Sequence, residues 1–235
     1  MSTDRYNVSE VLDHNLEAGR GDKVAIYFGN ETYTYAQVAE MANRTGNALK
    51  NLGVEQENRV LLLLLDTPQF PASFFGAIKS GAVPIPTNTV MQSADYEYFL
   101  NDSRAKAIIV SEPLYKVIEP IRANCNYLKH VIVVGGKDIP DVLDWKTITD
   151  VASPKLDPVD TSLDDAAFWL YSSGSTGFPK GAVHLQRDIP FTAKNYAEGV
   201  LNITAADLTF SASKLFHAYG LGNNMTFHYS VGAST

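Results

Sequence analysis

The sequence predicts an α/β protein with a mostly parallel, doubly wound sheet and helices on its flanks. Three observations predict it. Short apolar runs alternate with stretches of helical periodicity from residue 59 to residue 151. The runs are nearly all aliphatic, as strands buried on both faces are. The segments between them are long enough to carry the crossover helices that parallel strands require.

The elements follow in order. Tyr6 to Leu16 holds Val8, Val11 and Leu12 at loose helical spacing, which predicts a short helix. Lys23 to Phe28 and Glu31 to Tyr35 flank Gly29-Asn30, a two-residue hairpin signal. Thr34 then reads as a helix N-cap, with Gln37 completing a capping box. The helix behind it places Val38, Met41, Ala42, Thr45, Ala48, Leu49 and Leu52 on one face and ends at Gly53. Arg59 to Leu65 is a buried strand. Thr67-Pro68 opens a helix through Phe70, Phe74, Phe75, Ile78 and Lys79, stopping at Gly81. Val83-Pro84-Ile85-Pro86 is an extended piece whose prolines confine it to a sheet edge or bulge. Ser93 is expected to cap a helix reaching Leu100. Ala107 to Val110 is a strand, Pro113 to Ala123 a helix, and Val131 to Val134 a strand closed by Gly135-Gly136. Trp145 to Val151 is helical, and the polar stretch from Pro154 to Leu163 is a loop. A helix is expected over Gln186 to Leu201, with Pro190 in or before its first turn. A strand is expected over Leu208 to Ala212. No linker divides the chain.

The stretch richest in chemistry is Tyr171-Ser172-Ser173-Gly174-Ser175-Thr176-Gly177-Phe178-Pro179-Lys180-Gly181. An apolar run, Ala166 to Leu170, leads in, and Gly181 to His184 leads out. This reads as a strand, a hydroxyl-rich glycine loop and a return strand. Gly174 and Gly177 can take positive φ and let the backbone approach a ligand. Successive backbone N–H groups there make an anion site. Ser172, Ser173, Ser175 and Thr176 add hydroxyl donors, and Lys180 adds a point charge suited to phosphate. The Walker pattern is excluded, because Pro179 precedes Lys180 and Gly181 follows it.

Composition bounds the function. Apolar residues make up 45% of the 235, enough for a sizeable core. The formal charge of -7 argues against nucleic-acid binding through a broad basic surface. Cys125 is the only cysteine, so no internal disulfide and no Cys-rich zinc site can form. His14, His130 and His228 have no partner pattern that would suggest a metal site. The longest aliphatic run, Val60 to Leu65, is too short to span a membrane. No apolar stretch follows Met1 to Arg5, so no secretory signal is expected and a cytoplasmic location fits.

The loop, together with the order of elements before it, closely resembles the adenylate-forming acyl- and aryl-CoA ligase superfamily. A second stretch, Lys214-Leu215-Phe216-His217-Ala218-Tyr219-Gly220-Leu221-Gly222-Asn223, is similar in wording to the benzoate-type aryl-CoA ligases. By that resemblance the chain is part of the large N-terminal domain of such an enzyme, with the phosphate loop at 171–181 and an acyl-pocket segment at 214–227. The resemblance implies ATP-dependent activation of an aromatic carboxylic acid to an acyl-adenylate, then to its coenzyme A thioester, with magnesium (Mg2+) accompanying the nucleotide. It assigns Lys180 to the phosphates, together with Ser172, Ser173, Gly174, Ser175, Thr176 and Gly177. It assigns His217 to the gating aromatic position beside the substrate carboxylate, making Lys180 and His217 the catalytic pair. Ala218, Tyr219 and Phe227 would line the ring pocket. If residues 221–227 are helical, the eight-residue spacing puts Tyr219 and Phe227 on one face. His184 reads as a residue filling a sheet position, at a place where the family often has His.

There are departures. Benzoate ligases commonly carry Phe where this chain has His217. The family's later motifs, for adenine, ribose and the catalytic Lys of the small C-terminal domain, are not in this sequence. Residues 1–235 are therefore expected to be an N-terminal fragment, inactive by itself, with no metal ligands of its own identified. Two alternatives stay open: an adenylating enzyme for another acid or for loading a carrier protein, and a truncated nucleotide-binding module. Taken without the phosphate loop, His217 and Tyr219 read more readily as packed aromatics at a helix start.

Overall fold

The computed structural model describes residues 5–172 and 177–235. Its centre is a five-stranded parallel sheet in the order β4-β3-β5-β6-β7. The strands are β3 (Arg59–Leu63), β4 (Val83–Pro86), β5 (Ala107–Ser111), β6 (His130–Val134) and β7 (Leu143–Asp144), the last running directly into helix α5 (Trp145–Asp150). Register runs unbroken through the middle, with Val60 opposite Ala107 and Ala107 opposite His130. Period-2 alternation splits the strand residues between two cores. Val60, Leu62, Ala107, Ile109 and Ile132 face α2 (Tyr35–Asn51) and α3 (Gln69–Lys79). Leu61, Leu63, Ile108, Val110, Val131 and Val133 face α4 (Ser93–Asp102) and the 3₁₀ turns after β5. Both faces are covered, which is why these strands carry no polar alternation. β4, with Pro84 and Pro86, lies at an edge as its prolines require.

The local signals near the N-terminus are realised. Helix α1 (Glu10–Glu17) buries Val11 and Leu12, with Val8 buried just ahead of it. β1 (Val24–Phe28) and β2 (Glu31–Thr34) pair antiparallel, Phe28 opposite Glu31, across Gly29 at φ +59°. Thr34 and Gln37 make the reciprocal capping box at the start of α2.

Four expectations are corrected. Residues 113–123 form two 3₁₀ segments, Glu112–Val117 and Glu119–Asn124, rather than one α-helix. Pro120 has no N–H to donate and its ring would crowd the carbonyl one turn back. The cap of α4 is Gln92, boxed with Asp95, rather than Ser93. Residues 208–212 make a single bridge, Leu208 to Ser234, rather than a strand, and Phe210 is 88% exposed. The helix after the loop starts at Asp188 (α6, Asp188–Thr192) and continues as a π-helical segment, Ala193–Glu198. Gln186, expected inside that helix, instead accepts the Val8 N–H at 2.8 Å.

The last elements are β8 (Ala166–Ser172) and β9 (Lys180–Leu185), an antiparallel pair, then α7 (Ala218–Leu221), a π-helical segment at Gly222–Thr226, and α8 (Phe227–Val231). On α8, His228 is fully buried and neither ring nitrogen has a partner among the described residues. Burial, with the Lys23 charge adding to it, lowers its pKa to about 3. The folded state therefore holds His228 neutral where the unfolded chain, at the ordinary 6.5, is protonated. Its contribution is complete above pH 6.5 and is lost as pH falls toward 3. The unfolding free energy from urea titrations should fall through that window by up to about 1.4 kcal/mol per pH unit. His228→Phe should remove that part of the acid slope; an unchanged slope would rule it out.

Candidate active site

The β8–β9 pair builds the neck of the glycine loop. Tyr171 stands opposite Gly181 and Ser172 opposite Lys180, so a hydroxyl and an ammonium flank the point where the chain leaves the ladder. Both side chains are exposed. Ser173, Gly174, Ser175 and Thr176 lie outside the described residues. Gly177 has φ +140°, a conformation only glycine adopts readily, with open space where a Cβ would stand.

Helix α4 holds this neck in place. The Tyr98 ring stacks on Phe178, centroids 4.9 Å apart, and its hydroxyl donates to the Pro179 carbonyl at 3.0 Å. The Tyr171 hydroxyl donates to Asp102, at the C-terminal end of the same helix. Burial first, and then the bonded Asp102 carboxylate, push the Tyr171 phenol well above its ordinary range, so it stays a neutral donor. Sequence reading passed over Tyr98. The available signal was an aromatic in α4 flanking the buried set Tyr96, Phe99 and Leu100.

Asp66, just past β3, positions the second stretch. Its Oδ1 accepts the Leu215 N–H at 3.1 Å, and Lys214 Nζ lies 3.4 Å from Oδ2. The chain then turns sharply into α7. A Cβ on Gly220 would lie 2.1 Å from the Lys214 carbonyl oxygen, so only glycine fits that crossing.

Two cavities border this turn. The first, about 140 Å³, is bordered by Thr87, Met91, Tyr171, Pro179, Phe216 and His217. It joins the loop neck to His217. The second, also about 140 Å³, is bordered by Phe168, Leu170, His184, Ala218, Leu221 and Phe227. A cavity of that size, with apolar walls, can hold a benzene ring. Adjacent residues His217 and Ala218 thus face different cavities, the extended-to-helix junction turning them apart. Phe227 is 8% exposed, packed with Ala193 and Ala197. Tyr219 is 68% exposed and borders neither cavity. The two aromatics therefore do not form facing walls.

The second cavity also contains a residue given little weight in the sequence. His184 stacks flat on Phe168, centroids 4.5 Å and planes 5° apart, and its Nδ1 lies 3.4 Å from Asp188 Oδ2. The signal was the His-to-Asp spacing of four, straddling a strand end and a helix start. Among the described residues no group of three or more His, Cys, Asp or Glu side chains could hold a metal ion. None of their helices is long and apolar enough to cross a membrane.

A family model described as "AMP-binding enzyme" matches residues 12–235. The benzoate–CoA ligase of Thauera aromatica is 42% identical over 98% of this chain and 44% of its own length. A 4-hydroxybenzoate–CoA/benzoate–CoA ligase of Rhodopseudomonas palustris is 38% identical over 98% of this chain and 42% of its own. Among solved structures, the anthranilate CoA ligase AuaEII in complex with anthranoyl-AMP superposes with TM-score 0.95 at 37% identity, covering 98% of this chain and 44% of that one. The chain spans under half the length of these relatives.

Proposed function

Because this chain belongs to the AMP-binding enzyme family, we propose that it forms the phosphate-loop and acid-pocket part of an enzyme that activates an aromatic carboxylic acid with ATP and passes it to coenzyme A. One observation carries the reading: the turn at His217-Ala218 lies between a cavity bordered by the loop neck and a ring-sized apolar cavity. The ring occupies the Phe168–Ala218–Phe227 slot. The carboxylate then emerges toward His217, on the side where the loop holds the triphosphate.

The chemistry needs in-line placement and charge stabilisation more than a nucleophile from the protein. A carboxylate oxygen attacks the α-phosphorus and the bond to the β-phosphate oxygen breaks, giving acyl-adenylate and pyrophosphate. Lys180, with Ser172 and the loop amides, stabilises the negative charge gathering on the departing pyrophosphate. The coenzyme A thiol, losing its proton, then attacks the acyl carbonyl and AMP leaves. His217 positions the carboxyl group for both steps. Magnesium would arrive with the nucleotide. The described residues offer no carboxylate cluster for it, so no step is assigned to it. ATP and coenzyme A as co-substrates favour a cytoplasmic setting.

The test is ATP–pyrophosphate exchange by the protein at its full encoded length, over a panel of acids. Burying a ring rather than a methyl group adds about five carbons at about 0.8 kcal/mol each, about 10³-fold in kcat/KM. Benzoate-sized acids should lead acetate by that margin. Acetate or a long-chain fatty acid as the best substrate would overturn the proposal.

A further inference from the structure

We propose that His184 reads a hydrogen-bond donor on the substrate ring, so that hydroxy- or amino-substituted benzoates are preferred to their methyl isosteres. The inference rests on the second cavity being the acid pocket. Its walls are mainly apolar, through Phe168, Leu170, Ala218, Leu221 and Phe227, but Asp188, Thr192 and Thr226 border it too. The Thr192 hydroxyl is bonded to backbone carbonyls and the Asp188 carboxylate to the Leu185 N–H. The imidazole edge is a selective feature, because a polar group shut against an apolar ligand loses its hydrogen bond to water.

The orientation of that edge follows from what holds it. Stacking on Phe168 fixes the ring plane. The Asp188 carboxylate lies 3.4 Å from Nδ1, and the same carboxylate oxygen accepts the Leu185 N–H at 3.0 Å, which anchors it. Facing a carboxylate, which only accepts, Nδ1 takes the donor role, and in that tautomer Nε2 keeps its lone pair. Nε2 is thus an acceptor. A phenol O–H or an aniline N–H satisfies it, whereas a methyl or methoxy group of similar size does not. The same tautomer argues against His184 as the carboxylate's partner. Nε2 then has no proton to give, and Asp188, which borders the same cavity, repels an anion.

The experiment compares hydroxy-, amino-, methyl- and methoxybenzoates, each at the 2, 3 and 4 positions, by kcat/KM in exchange by the full-length protein. At one ring position the donor-bearing acid should exceed its methyl and methoxy isosteres by at least about tenfold, the worth of one hydrogen bond at a partly desolvated site. His184→Phe, which keeps the stacking on Phe168, should bring that ratio to about one, and His184→Asn provides a second variant. The comparison among acids needs no variant, so misfolding of either one leaves it decisive. Equal rates for donor and methyl isosteres at every position would overturn the inference. So would a His184→Phe loss that is the same for all aryl acids, which would mark a role in the carboxylate's placement or in structure. In both cases aryl turnover would leave the functional reading standing. Exchange with no aryl acid would overturn both.

Discussion

Replacing Lys180 by alanine should lower ATP–pyrophosphate exchange in the full-length protein by roughly 10²–10³-fold, the usual cost of losing one preorganised electrostatic donor in a transition state. The side chain leaves β9 at the loop neck, opposite Ser172, and borders neither cavity. Its ammonium can therefore meet phosphate but not the ring of the acid. Binding of the acid, measured by equilibrium titration without nucleotide, should change less than twofold by that argument. Lys180→Arg keeps the charge but spreads it over a planar fork, so it should recover only part of the rate. An exchange rate unchanged in Lys180→Ala would remove the loop from the chemistry.

Ala218→Phe should abolish turnover of aryl acids while ATP still binds. Ala218 borders a cavity of about 140 Å³, and a phenyl ring there takes the volume the substrate ring would occupy. Losing a ring's worth of burial costs about 10³-fold by the same estimate that separates aryl acids from acetate. Nucleotide affinity should hold, since Ser172 and Lys180 lie at the loop neck, outside this cavity. The new ring fills empty space rather than a packed core, so the thermal midpoint should move little. Ala218→Gly supplies the opposite control, enlarging the slot. Unimpaired aryl turnover in Ala218→Phe would place the acid elsewhere.

Much of the scaffold was legible because its causes are local. The aliphatic run at Val60–Leu65 can only be a strand covered on both sides, and β3 is buried from Val60 to Leu63. Gly29 permits the hairpin by its own backbone freedom, and Thr34 and Gln37 cap α2 within one turn. The same local logic failed where a competing rule was underweighted. Pro120 split the helix expected over residues 113–123. Residues 208–212 have strand composition, but a strand also needs a partner along its length.

The sequence by itself determined the alternation of strands and helices, the faces they bury and the loop neck that brings Ser172 beside Lys180. Each follows from a period or a turn spanning a few residues. Only the tertiary structure decided that Tyr98 braces Pro179 across 81 positions and that Asp66 holds Leu215 across 149. It alone sent His217 and Ala218 to different cavities, kept Tyr219 off the border of both and seated His184 beside Ala218. Those placements depend on how separately formed elements pack, and side-chain contacts between distant elements leave no periodic trace in the chain.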